Sequence, residues 1–345
     1  FFEISLYYGN LNIAKWLWEL TDNGNNLDIS DHINLFILDN AFKHICEKNY
    51  FETAQWMKIN IQNIGNNIDI TLTFHQICIK GYFDISKWLY QNFYNINLTQ
   101  NNDMIFKSTC IHGHLQIAKW IYDIYDDKKY NKLNTDRYTL LFKDICKNGH
   151  IETAKWIYNL DKNINITVFN DIAFTSACEN GHIELVKWLY IELEQKKHNL
   201  KLNLDNIVIK ICRNGHYEII EWLYEKFYAS MNKIINNMMS YIFNLACSKG
   251  HEKLAKWIYQ RYRLNTIKYI NQVQFNQAFV DSCTFGFKKI AEWLLYCVPS
   301  ISIQHDNNKA FKNAVINNHY DVVLWLYTID NMIDISENDN ELFKI

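Results

Sequence analysis

Ten residues recur along this chain at a nearly constant interval, and a chain written that way is constrained to fold as a stack of like units. Gly181 to Tyr190 reads GHIELVKWLY, Gly113 to Tyr122 reads GHLQIAKWIY, Gly149 to Tyr158 reads GHIETAKWIY, and Gly250 to Tyr259 reads GHEKLAKWIY. Looser copies start at Gly9, Asn49, Gly81, Gly215, Gly286 and Asn318. With Trp as the mark, the ten copies fall at Trp16, Trp56, Trp88, Trp120, Trp156, Trp188, Trp222, Trp257, Trp293 and Trp325, in steps of 32 to 40 residues. A period in this range signals a solenoid, in which each supersecondary unit buries its apolar face against the next.

Other residues keep the same register. Ten positions before Trp stand Cys46, Cys78, Cys110, Cys146, Cys178, Cys212, Cys247 and Cys283, with Leu6 and Val315 in the two remaining slots. Fourteen before Trp is Phe in every copy except one, where Val208 replaces it. Seven before Trp is Gly, or Asn in the copies at Asn49 and Asn318. The span from Phe to Trp never changes length, so all variation in spacing lies in the connectors.

At 345 residues the chain is long enough for two or three globular domains. The unbroken repeat argues instead for a single array over residues 1–345. Hydrophobic residues make up 49% and aromatic residues 15%, much of the latter being the repeated Phe, Trp and Tyr. A net charge of −2 provides no global footprint for nucleic acid or an anionic membrane. No apolar run approaches the ~18 residues of a membrane span. The chain opens at Phe1 without Met, and Phe343 fills the Phe slot of an eleventh unit. The expectation is a segment of a longer polypeptide that starts and stops within a repeat.

Nine cysteines invite a disulfide or zinc framework. Eight occupy one lattice slot, and stacked helices lie ~8–10 Å apart, beyond the ~4.4–6.8 Å that a disulfide allows between Cα atoms. They are read as small buried hydrophobes in a reducing compartment. Cys297 is off the lattice and is assigned no role.

Within each unit, Phe174-Thr-Ser-Ala-Cys-Glu-Asn180 and its equivalents put apolar residues at i, i+3 and i+4, which predicts a short amphipathic helix. Gly181 and its equivalents end it, in a left-handed position that Asn tolerates next best. A second helix is expected to start at His114, His150, His182, His216, His251 or His319. Acidic residues such as Glu152 and Glu184 favour its positive end. Lys15, Lys87, Lys119, Lys155, Lys187 and Lys256 share one slot and are read as a solvated face. Trp falls on the apolar side and is expected in the core. Asn-rich connectors with alternating tracts, such as Ile68-Asp-Ile70, Ile164-Asn-Ile166, Leu202-Asn-Leu204 and Ile333-Asp-Ile335, predict an extended segment between pairs.

Motifs for catalysis and metal binding were weighed against this lattice. There is no Gly-rich phosphate loop, no H-E-x-x-H and no G-x-S-x-G. His150-Ile-Glu152, His182-Ile-Glu184 and His216-Tyr-Glu218 spell the H-x-E of zinc deaminases, but the required downstream P-C-x-x-C is missing. Helix capping is the better account of a pair that recurs by lattice. Cys110, His112 and His114 lie close in sequence, yet Cys110 and His114 are ordinary lattice residues. A row of tryptophans could stack bases, but the charge is wrong for a groove that tracks a phosphate backbone.

Helix, Gly-His, helix and connector in about 33 residues resembles the ankyrin repeat, most closely at Asn180-Gly-His-Ile-Glu-Leu-Val-Lys187. A tetratricopeptide array has a similar period but lacks the immediate Gly-His junction. The Trp-Leu-Tyr wording, rich in Asn, Ile, Lys and Tyr, resembles the ankyrin families of giant DNA viruses. One departure is general: the Thr-Pro-Leu-His opening of the family's first helix is absent, with Phe in the Leu place. The resemblance implies an all-α helix-turn-helix solenoid of about ten repeats, with extended connectors. It implies a non-catalytic module that binds a protein partner through concave first helices and connectors, or else a structural component of a virion or other large assembly. Carried over by position, the candidate partner-binding residues are Glu47, Lys48, Ile79, Lys80, Ile111, His112, Lys147, Asn148, Glu179, Asn180, Arg213, Asn214, Ser248, Lys249, Thr284 and Phe285. No cofactor, metal, nucleic acid, membrane or small-molecule substrate is expected. The implied setting is the reducing interior of a host cell or, if viral, the virion.

Overall fold

The structure is a computed structural model and describes residues 1–22, 35–61, 63–127, 135–160, 164, 168–195, 203–264 and 270–330. Twenty helices, and no strands, are found among the described residues. They fall into two compact units, residues 1–165 and 166–345. The first holds five helix pairs: Phe2–Tyr7 with Leu11–Asp22, Leu35–Glu47 with Phe51–Asn60, Ile70–Lys80 with Phe83–Asn92, Gln100–Ile111 with Leu115–Asp127, and Thr135–Lys147 with Ile151–Leu160. The second also holds five: Val168–Glu179 with Ile183–Gln195, Leu204–Asn214 with Tyr217–Lys226, Tyr228–Ser248 with Glu252–Leu264, Gln272–Thr284 with Lys288–Cys297, and His305–Ile316 with Tyr320–Ile329. Inside each unit every first helix packs on its own second helix and on the next first helix. Ten pairs match the ten sequence copies, so each copy is one helix-turn-helix unit.

The turn between paired helices explains the invariant spacing. Gly81 has φ +81° and donates its N–H to the Cys78 carbonyl at 3.2 Å, while Tyr82 N–H donates to Ile77 O at 3.3 Å. This double closure satisfies carbonyls that a helix end would otherwise leave unpaired. Asn49 (φ +60°) and Asn318 (φ +61°) make the same left-handed turn. The second helix then begins one residue after the His slot, at Leu115, Ile151, Ile183, Tyr217 and Tyr320, for example. His216 and His319 are N-cap residues whose side chains make no capping bond. The expectation that these histidines cap the second helix is therefore corrected below. Exposed Lys155–Glu152 (3.1 Å) and Lys187–Glu184 (2.9 Å) pairs agree with a solvated lysine slot, and surface pairs of this kind contribute little to stability.

Phe42, Phe74, Phe106, Phe142, Phe174, Phe243 and Phe279 are buried to within 1% of completely, as are all eight lattice cysteines. Burying one such Phe stabilises by roughly 1.5–3 kcal/mol. The cysteines are free thiols, and Cys78 Sγ lies 3.7 Å from Ser86 Oγ on the paired helix. Desolvation pushes the Cys78 thiol up to about 12 and the other seven higher still.

Trp is a correction. Only Trp257 is buried, at 4% exposure; Trp16 is 58% exposed and the other eight are half-buried. The tryptophans lean against the repeat before them. Tyr–Trp ring planes cross at 85° to 87° in Tyr90–Trp120, Tyr122–Trp156, Tyr190–Trp222, Tyr224–Trp257 and Tyr259–Trp293, with centroids 5.3–5.7 Å apart. Edge-to-face contact is favoured because the positive ring edge meets the negative face. In these five cases the Tyr two places after one Trp is the next Trp's seat.

Connectors depart from the extended tract predicted for them. Residues 63–67 form turns that carry Ile64 into the core, leaving Ile68 half-buried. After Trp222 the connector is helical: Tyr228–Ser248 runs 21 residues, with Met231, Ile235, Met239 and Ile242 buried on one face. Those residues recur at i, i+4, i+8 and i+11, a helical period, with no Gly or Pro to interrupt it. Of the other alternating tracts, Ile166, Leu202, Ile333 and Ile335 lie outside the described residues.

Candidate binding surface

The sixteen candidates sit in the last turn of eight first helices or just past it. The residue directly before Gly or Asn is exposed in all eight pairs: Lys48, Lys80, His112, Asn148, Asn180, Asn214, Lys249 and Phe285. Its predecessor is half-buried at Glu47, Ile79, Ile111, Glu179, Ser248 and Thr284, and exposed at Lys147 and Arg213. Phe285 is 50% exposed and is the large apolar member.

These slots are stitched from repeat to repeat. His114 Nε2 lies 2.6 Å from Ile79 O, His216 Nε2 3.0 Å from Glu179 O, and His251 Nε2 2.9 Å from Arg213 O. In each case the imidazole N–H donates to the carbonyl two places before the preceding repeat's Gly. The ring rests on that Gly: a Cβ built on Gly181 would come 2.6 Å from His216 Nδ1. The lattice Gly thus has a second reason besides its positive φ. Side chains add parallel rungs, as Lys80 Nζ donates to Glu47 O at 2.8 Å and Asn148 Nδ2 to Ile111 O at 3.3 Å. Asn214 Nδ2 donates to Glu179 O at 2.7 Å, and Lys210 pairs with the Glu179 carboxylate at 2.7 Å. Burial, followed by the charges of His182 and His251, holds the His216 pKa below its ordinary value, against the carbonyl bond that raises it.

The candidate metal motif is taken up by the same ladder. Cys110 is fully buried, His112 Nδ1–H donates to Ser108 O at 2.7 Å, and His114 faces Ile79 O. Among the described residues no group of three or more His, Cys, Asp or Glu gathers as a metal site would require. On the opposite helices, Arg261 stacks 3.4 Å over Trp257 and 4.3 Å from the Tyr224 centroid. That ties the repeat containing the long helix onto its predecessor.

One functional slot escapes the sequence reading. Seventeen residues before Trp stand Asp39, Thr71, Asp103, Thr139, Asp171, Asp205, Ser240, Asn276 and Asn308, always small and polar. Asp39, completely buried, accepts from Gly65 N at 2.5 Å and Asn67 N at 3.0 Å. Thr71 Oγ1 accepts from Asn97 N at 3.2 Å, and Asn276 Oδ1 from Ser302 N at 3.3 Å. Asp39, Thr71 and Asn276 thus reach 26–28 residues ahead to fix the connector that follows their own pair. The signal was available as one more lattice column.

Paired antiparallel helices, a left-handed Gly turn, and a row of first-helix ends stitched by histidines define an all-α helix-turn-helix solenoid. A family model of ankyrin repeats matches residues 106–202 and 174–268. The chain thus carries ankyrin repeats there, and the same Phe–Cys–Gly–Trp lattice continues on both sides of them. Ankyrin repeats are generally protein–protein interaction modules. No curated protein matches the chain. Among the described residues no helix is long and apolar enough to cross a membrane.

Proposed function

We propose that this chain is a non-catalytic protein–protein interaction module that holds a protein partner on its first-helix ends and connectors. The supporting observation is the contrast between neighbouring slots. The exposed residue before each Gly or Asn changes from Lys48 to His112, Asn180 and Phe285, while the slots beside it stay Phe and Cys in the core. The core places few demands on that exposed slot, though Lys80, Asn148 and Asn214 also bond to the preceding repeat, so a ligand is free to set much of its composition. The resemblance to ankyrin families of giant DNA viruses supports a setting in the reducing interior of an infected cell. The test is affinity purification of the chain from such a cell with mass spectrometry, repeated with Ile79, Ile111 and Phe285 changed to Ser. A stoichiometric protein lost with the triple change supports the module. Recovery of only an assembly's own components would move the reading to a structural part of a virion.

A further inference from the structure

We propose that the first unit carries a receptor pocket for a tyrosine side chain, presented by an acidic, extended segment of the partner protein. This rests on the reading of the first-helix surface as a protein-binding face. A pocket of about 290 Å³ opens between the helices Ile70–Lys80 and Gln100–Ile111. Leu72 and Met104, 45% and 46% exposed, line it together with buried Ile105 and the polar His75 and Gln76. His75 is 93% buried, and its Nε2 has no hydrogen-bond partner. Two polar groups of the lining are engaged elsewhere: Asp69 accepts from Leu72 N–H, and Thr71 holds the connector at Asn95 and Asn97. A buried ring nitrogen left unpaired is unfavourable, and a ligand hydroxyl would satisfy it. A tyrosine combines a flat apolar body, suited to Leu72 and the Met104 thioether, with a phenol that can donate to or accept from an imidazole nitrogen.

Two further observations set the company that tyrosine keeps. Leu72, Met104 and Leu140 occupy one lattice slot on three successive first helices, each 45–50% exposed. The apolar row therefore runs on beyond the pocket, as an extended segment crossing the helices would need. Lys43, Lys107 and Lys143 take the slot of His75 on the neighbouring first helices, and Lys48, Lys80 and Lys147 stand at the helix ends. Against these six lysines stand the acids Glu47, Asp69, Asp103 and Asp144, which still leave this face cationic, with Asp144 paired to Lys143 at 3.3 Å. The chain as a whole is at −2, so the positive excess is local and selects an acidic partner.

The test is a selection of displayed random dodecapeptides on the intact chain, counter-selected on a Leu72→Ser, Met104→Ser double variant, whose changes lie at the surface. Enriched peptides are expected to share one Tyr among Asp and Glu. A synthesised member should lose about tenfold in affinity on Tyr→Phe, and that difference should vanish on a His75→Phe chain. In case His75→Phe does not fold, the His75 ring-nitrogen shift is followed by NMR in the unaltered chain; it should move with the Tyr peptide and not with the Phe peptide. Peptides without Tyr or acidic excess, equal binding to the double variant, or an unmoved His75 signal would overturn the proposal. Tighter binding of a dodecameric oligouridylate on the same face would overturn it in favour of nucleic acid. If the pocket fails while a purified partner is still lost on changing Phe285, the interaction-module reading stands without it.

Discussion

Gly181 and His216 show how one lattice residue constrains another 35 positions away. A side chain at Gly181 meets both its φ of +86° and the His216 ring. Gly181→Ala should cost about 2–3 kcal/mol, combining left-handed strain with a disturbed imidazole–carbonyl bond. In a His216→Ala background the same change should cost about 1–2 kcal/mol, since only the strain remains. Urea unfolding of the four chains reads the difference, and equal costs would show that the ring is not the obstacle. His216 also sets a pH dependence. Its folded pKa lies below the ordinary 6.5, so its contribution is complete above that value and is lost as pH falls through the folded pKa. His44 and His75, likewise lowered chiefly by burial, act in the same direction. Thermal melts should therefore shift down between pH 7.5 and 5, and less so in His216→Asn. Thiol chemistry follows burial as well. Of nine thiols only Cys297 is half-exposed, so a disulfide reagent should label one quickly in the native chain and all nine in denaturant.

Helices and connectors obey a lattice with one more column than the obvious ones. Asp39→Ala strips two N–H groups, of Gly65 and Asn67, of a charged acceptor and should cost about 2–3 kcal/mol. Amide exchange at Gly65 and Asn67 should accelerate well beyond that of the helix Ile70–Lys80; unchanged exchange there would mean the connector is held by its apolar residues instead. The helical pairs, the Gly junction and the Phe and Cys core were legible because backbone geometry and burial impose a residue type at each turn. Histidine was legible as a lattice position but not in its role, because its partner is a carbonyl 35 to 38 residues earlier that only stacking brings within reach. The long helix Tyr228–Ser248 was legible in the spacing of Met231, Ile235, Met239 and Ile242, and the expectation of a uniform connector concealed it.

Across the molecule the tryptophans make a graded series. Full burial of Trp costs about 3–5 kcal/mol on truncation; Trp257→Ala should approach that range, half-buried Trp120→Ala should fall to about 2–3, and exposed Trp16→Ala should cost least. In a stack held by nearest-neighbour contacts, each loss stays near its origin. Hydrogen exchange in Trp257→Ala should rise around Tyr224 and Tyr259 while the helices of residues 1–92 keep their protection. A uniform rise along the chain would contradict this locality.

Periodicity by itself determined the number of units, the helix pair, the left-handed turn and the burial of Phe and Cys, because each of these is enforced within one repeat. What only the tertiary structure decided lies between repeats. A histidine reads as a cap until the preceding carbonyl is seen beside it, and a tryptophan reads as core until its Tyr neighbour shows it to be a half-exposed hinge of the stack. The pocket at His75 belongs to the same class. Leu72 and Met104 are 32 residues apart and unremarkable in sequence, and only packing one first helix on the next sets them around a buried nitrogen without a partner.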